Sequence, residues 1–223
     1  MGTLKQASKI LSLFEETPGD QIQTLLESGL LADLRDGNVV EVKRDDFRKL
    51  LGLKPLQLSL LDFIGTVTIP AITERFLARE KFVVDTSKKA RVKVAYLGSN
   101  FKEWFLEKIE EPIAETTLRY AKLLRSEVDA PIRAEIGSEF EETALAQIWS
   151  LMERQKNGEA GVLLNTGYAN IFYVKDVNGV LRAVSVYWSD DGWYVYAYSV
   201  THPHRWHDGS LVFSRNSSVA VTV

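Results

Sequence analysis

At 223 residues, 45% hydrophobic and 26% charged, the chain has the size and composition of one large globular domain or a domain with an appendage, which argues against wholesale disorder. Its formal net charge of −3 supplies no global field to attract nucleic acid or an anionic membrane. The absence of cysteine excludes disulfides, thiolate metal sites and a thiol nucleophile.

The first nine residues are polar, and Ser12, Glu15 and Glu16 interrupt the apolar positions that follow. No uninterrupted apolar core of a signal peptide results. No stretch approaches the roughly 18 apolar residues that a bilayer span needs. The expectation is a cytoplasmic protein with no membrane partner.

The N-terminal part reads as helical. Leu4, Ile10, Leu11, Leu13 and Phe14 form a short amphipathic stretch, broken at Thr17-Pro18-Gly19-Asp20. Asp20 is placed to cap a second helix carrying Ile22, Leu25 and Leu26, which Gly29 ends. Leu30, Leu31 and Leu34 mark a third, stopped by Asp36-Gly37-Asn38. An extended link at Val39, Val40 and Val42 precedes a last helix with Phe47, Leu50 and Leu51, capped by Asp45 or Asp46. Pro55 is a boundary.

The character changes near Gly65. Thr66–Ile69, Phe82–Val84 and Arg91–Leu97 are strand candidates, the last with period-2 alternation. Ser99 is placed to cap a helix over 100–110. Thr116–Leu124 suits a strand by its β-branched start and a helix by the spacing of Leu118, Lys122 and Leu123. Pro131–Ile136 reads as a strand. Ser138 with Glu141 forms a capping-box sequence for a helix whose apolar face is Phe140, Ala144, Leu145, Ile148, Trp149 and Met152. Asn178-Gly179 joins strands Ile171–Val174 and Val180–Trp188 in a hairpin. Ser189–Gly192 turns the latter into Trp193–Val200, and Leu211–Phe213 is a last strand. The fold expected is α+β: a small helical module (1–62), then an antiparallel sheet packed against one or two helices (63–216), then a tail (217–223).

Three constellations carry the functional reading. All three histidines fall at His202, His204 and His207, beside Asp208, a density of imidazole and carboxylate that could hold a metal. Against this, Pro203 and Asp208-Gly209 read as a solvated loop, and the spacing matches no standard zinc signature. Second, Tyr194, Tyr196 and Tyr198 share one strand face, joined across the turn by Tyr187, while Trp188 and Trp193 pair on the other. Such a row suits stacking or a partner surface, and equally a second, partly covered sheet face. Third, Arg205 and Arg215 near Trp206 could grip phosphate or carboxylate. A helix-turn-helix at 20–35 is disfavoured, because Asp33 and Asp36 outweigh Arg35. There is no phosphate-binding glycine loop, nucleophile elbow or His-Glu-x-x-His.

Residues 20–53, 93–105 and 193–217, the last with Trp206, Asp208-Gly209 and Ser214-Arg215-Asn216, resemble stretches of a family of bacterial hypothetical proteins with no assigned activity. That family's pattern features the tryptophan, Asp-Gly and Ser-Arg-Asn elements rather than the histidines. The resemblance implies no role for any residue. The resulting expectation is a non-enzymatic binding or interaction protein without a cofactor, acting on a protein partner or a second copy through the N-terminal helices or the tyrosine face. The alternative is a metal-dependent hydrolase built on the histidine cluster.

Overall fold

The computed structural model describes residues 17–36 and 59–216, with Leu4, Ser8, Ser12 and Glu15 as isolated positions before them. The expected link at Val39–Val42, the helix with Phe47, Leu50 and Leu51, most of the first amphipathic stretch and the tail from 217 lie outside those residues. The chain divides into two compact units, Met1–Gln57 and Leu58–Val223.

In the first unit, α1 spans Gly19–Glu27 and α2 spans Leu30–Arg35. Pro18, not Asp20, holds the N-cap position, and its carbonyl accepts the N–H groups of Gln21 and Ile22. Gly29 separates the helices with a φ of 77°, a left-handed conformation that glycine adopts without the Cβ penalty. No residue of α1 is buried.

The second unit is α+β. Its strands are β1 (Leu61–Ile69), β2 (Phe76–Leu77), β3 (Val94–Leu97), β4 (Ile109–Glu110), β5 (Thr116–Leu123), β6 (Glu142–Thr143), β7 (Asn170–Lys175), β8 (Leu181–Ser189), β9 (Gly192–Ser199) and β10 (Leu211–Arg215). Its helices are α3 (Ala78–Lys81), α4 (Ser99–Phe105), α5 (Asp129–Ile136) and α6 (Leu145–Arg154). The main sheet runs β1-β5-β10-β7-β8-β9-β3, with β6 added beside β7. Most pairs are antiparallel, but β3 joins β9 in parallel, and β10 and β6 both join β7 in parallel.

Alternation along the strands sends side chains to two faces. One face, with Val67, Leu118, Phe172, Val184, Val186, Trp193 and Phe213, packs under α3, α4 and α6 as the larger core. There Phe82, Phe101 and Trp149 meet edge to face, Phe82 lying 4.9 Å from Phe101 and 5.3 Å from Trp149. The other face buries Leu123, Ile171, Tyr173, Ala183 and Val212 beneath Ile132 of α5 and Trp206. That second cover stops short of the tyrosine half of the sheet.

Two hairpins follow the sequence. Gly179, at φ 75°, turns β7 into β8, and the two-residue turn Asp190-Asp191 sets Trp188 opposite Trp193 and Tyr187 opposite Tyr194. The 116–124 segment, open between strand and helix, is strand β5.

Other segments differ from expectation. Residues 131–136 are helix α5 rather than a strand: Pro131 falls in the first turn, where its missing N–H has no intrahelical partner to lose. The long helix begins at Leu145, not after Ser138. Glu141 is withdrawn from capping by a two-pronged contact with Arg133, at 2.7 and 2.9 Å. The cap comes instead from Glu110, distant in sequence, whose buried carboxylate accepts the N–H groups of Leu145 and Ala146 at 3.0 and 2.9 Å. Burial raises the Glu110 carboxyl above its ordinary value despite these bonds. Phe140 is therefore only half-buried, while Ile148 and Trp149 lie in the core. Phe82–Val84 is not a strand. Phe82 ends the one-turn helix α3 and points into the core, and Val83 and Val84 are exposed. Helix α4 stops at Phe105, and 109–110 pairs as β4.

Candidate functional site

The tyrosines stand where the strands require them. Tyr194, Tyr196 and Tyr198 occupy alternate positions of β9, and Tyr187 stands opposite Tyr194 on β8. Tyr96 of β3 extends the row at the sheet edge. The rings lie nearly parallel: Tyr187 is 5.3 Å from Tyr194 and 5.9 Å from Tyr196, and Tyr196 is 6.2 Å from Tyr198. Burial and the hydrogen-bonded Tyr196 hydroxyl push the Tyr187 phenol well above its ordinary value.

The row continues into the 200–210 segment. His204 stacks on Tyr198 at 5.4 Å with 12° between the planes, and Trp206 stands perpendicular to both. Trp206 is fixed from behind. Its backbone exchanges hydrogen bonds with Glu127, and its indole N–H donates to the buried Asp129 carboxylate at 2.8 Å. The Tyr173 hydroxyl donates to the same oxygen at 2.8 Å. Burial raises the Asp129 carboxyl above its ordinary value, opposed by these two donors and by Arg133 and His204.

A cleft of about 400 Å³ opens where the covered half of this face meets the tyrosines. Cross-strand register places small residues beside the row here. Ser185 stands opposite Tyr196, and Ala183 opposite Tyr198. Ser185 lines the cleft with Tyr187, Tyr198, His204, Trp206, His207 and Ser210, and Thr166–Ala169, mostly exposed, complete it. Gly209 lets Tyr168 lie close: a Cβ there would sit 3.3 Å from its ring.

The other candidate residues are not drawn in. Arg205 pairs with Glu127 at 3.2 Å and donates to the Ser126 carbonyl at 3.0 Å. Arg215 donates to the Glu139 carbonyl. Neither arginine lines the cleft, and neither does Asp208. The rings of His202 and His204 are 6.4 Å apart, and His202 Nδ1 already accepts the backbone N–H of His204 at 3.0 Å. Among the described residues no three His, Asp or Glu side chains are grouped to hold a metal ion. In α2, Arg35 is held by Asp36 at 2.7 Å, which leaves that segment no free cation for phosphate.

Sequence reading missed Asp129, Ser185 and Tyr168. Asp129 had no local signal, since its donors come from 44 and 77 positions away. Ser185 gains meaning only from cross-strand register. Comparison with protein families, with curated proteins and with solved structures finds no match to this chain.

Proposed function

We propose that the chain is a non-enzymatic binding protein whose α+β domain receives a small ring-bearing ligand in the cleft beside Tyr187, Tyr198 and Trp206. The observation that carries this reading is the interlocked aromatic wall. Tyr198, His204 and Trp206 contact one another, and Asp129 locks Trp206 from behind, so the cleft is shaped before a ligand arrives. Preorganisation of that kind lowers the entropic cost of binding. A catalytic reading lacks support, because no carboxylate lines the cleft to orient either imidazole as a base. The hydrolase alternative lacks three converging ligands among the described residues.

In this reading the protein works in the cytoplasm, and the first unit, with helices α1 and α2, provides a second surface, for a protein partner or another copy. Leu26 and Leu31 are exposed there. The Trp206 indole N–H resonance, assigned with Trp206→Phe, reports on the cleft. A panel of uncharged and charged ring compounds should shift it in the natural protein and leave it unmoved in Ser185→Leu, which fills the floor. A panel that shifts neither protein overturns the proposal.

A further inference from the structure

The chemistry of the cleft lining narrows the ligand, given that the cleft is the binding site. Among the described residues no lysine, arginine, aspartate or glutamate lines it. A phosphate or carboxylate ligand would call for a guanidinium or ammonium, and buried charge without a partner is costly. What the lining offers instead is hydroxyl, from Thr166, Tyr168, Ser185, Tyr187, Tyr198 and Ser210, with the imidazoles of His204 and His207 as further hydrogen-bonding groups.

The aromatic rings restrict it further. Tyr187 lies parallel to both Tyr194 and Tyr196, and Tyr198 lies parallel to both Tyr196 and His204. Rings stacked on such neighbours have face area already engaged, which leaves edges and hydroxyls as the greater part of what they can offer a ligand. Aromatic edges carry the positive part of the quadrupole, which disfavours a cation. Trp206 is almost wholly buried and has little face to give. Tyr168 differs. It is 46% exposed, it sits at the rim, and among the described residues no other ring packs on it. It can lay a broad phenol face against a ligand.

An exposed phenol face, many hydroxyls and the absence of lysine, arginine and carboxylate from the described lining fit a ring with an apolar side and a polar perimeter. We propose that the cleft binds an uncharged polyhydroxylated ring, a neutral sugar or cyclitol, lying on Tyr168 with its hydroxyls toward Ser185, Tyr187 and Ser210. The volume lies within the range of small-molecule sites, about 300–1,000 Å³.

The test follows the Trp206 indole resonance during titration with maltose, cellobiose and myo-inositol, and in parallel with glucose 6-phosphate, choline and adenosine. At least one neutral polyol should shift the resonance more strongly than any of the other three compounds. Tyr168→Leu should weaken that polyol roughly tenfold, a change typical of one lost favourable contact surface. Tyr168→Phe should retain most of the binding, since the ring face is kept. Tighter binding of choline, glucose 6-phosphate or adenosine overturns the ligand class while leaving the cleft as a binding site. Polyol binding that is indifferent to Tyr168→Leu overturns the assigned pose and the proposal with it. No shift from any of the six compounds overturns both the ligand class and the binding role of the cleft.

Discussion

The indole of Trp206 and the carboxylate of Asp129 meet across 2.8 Å, both buried, and this contact holds the 200–210 segment against the sheet. It joins the N-terminal turn of α5 to the wall of the cleft. A buried carboxylate with two neutral donors on one oxygen is incompletely compensated, and its raised value reflects that.

This gives a pH prediction for Asp129→Asn. Because the folded-state value is raised, the native chain holds the Asp129 proton more tightly than the unfolded chain. The contribution of this group to stability is therefore full below the unfolded carboxyl value and is lost as pH rises through the folded one. Asparagine does not ionise. The stability of Asp129→Asn relative to the natural protein should improve as pH rises from about 4 to about 7. Urea denaturation across that range measures it, and a relative stability that falls with pH contradicts the assignment.

Core packing predicts a contrast between two residues of the 138–154 stretch. Ile148 is fully buried under the sheet, so Ile148→Ala should cost about 2–5 kcal/mol. Phe140 is half-buried in a turn, and Phe140→Ala should cost clearly less. Chemical denaturation of both variants decides it; equal losses would mean that the helix extends back to Phe140.

Gly158 predicts a backbone effect. Its φ is 73°, and a Cβ would fall within 2.2–2.6 Å of the Trp188 indole, a rigid group packed on Trp193. Gly158→Ala should destabilise by more than the ~1–3 kcal/mol of an unfavourable φ alone, because the indole must also move. Thermal denaturation, with near-ultraviolet circular dichroism reporting the indole environment, checks both parts.

The boundary between the two units predicts where the chain can be cut. Leu60 is buried in the second unit, and the Glu135 carboxylate accepts the N–H groups of Leu60 and Leu61 at 2.7 and 3.0 Å. A fragment starting at residue 58 should fold cooperatively. One starting at residue 63 should be markedly less stable, since it loses those bonds and the first two β1 residues. Similar denaturation midpoints for the two fragments would show that Leu60 and Leu61 contribute nothing.

Metal content is a further check. Protein purified without a histidine tag should carry zinc well below one equivalent per chain, as His202 Nδ1 is occupied and among the described residues no three ligating side chains are grouped. Stoichiometric zinc, lost in His204→Ala, would restore the metal reading.

What the sequence revealed depended on how local each cause was. The β7-β8-β9 meander was legible because Asn178-Gly179 and Asp190-Asp191 encode their turns in adjacent residues, and the turns then fix the register that pairs Trp188 with Trp193. The start of α6 was not, because the sequence at Ser138–Glu141 satisfies a capping rule whose carboxylate is taken by Arg133, while the actual cap is Glu110. Helix α5 was hidden by Pro131 and Ile132, residues read as extended when their neighbours are unknown. The tyrosine row was visible as period-2 spacing. The cleft beside it was not, since a serine on a strand becomes a gap only when Tyr196 is placed opposite.

The position of β10 bears on how the sheet is assembled. Although the last of the described strands in sequence, it lies inside the sheet, antiparallel to β5 on one side and parallel to β7 on the other. The β1-β5 antiparallel pair and the β7-β8-β9 meander can each form from earlier segments, but among the described strands nothing joins them along the sheet until residues 211–215 arrive. During synthesis at about 5–20 residues per second, the inner edge of β5 and the start of β7, whose Tyr173 and Val174 β6 already pairs, wait open for the seconds needed to make the intervening chain. Open edges are templates for pairing with other chains. A ribosome stalled before residue 211 would therefore hold two half-sheets whose shared seam is unsealed, with the β5 edge presented to any other chain.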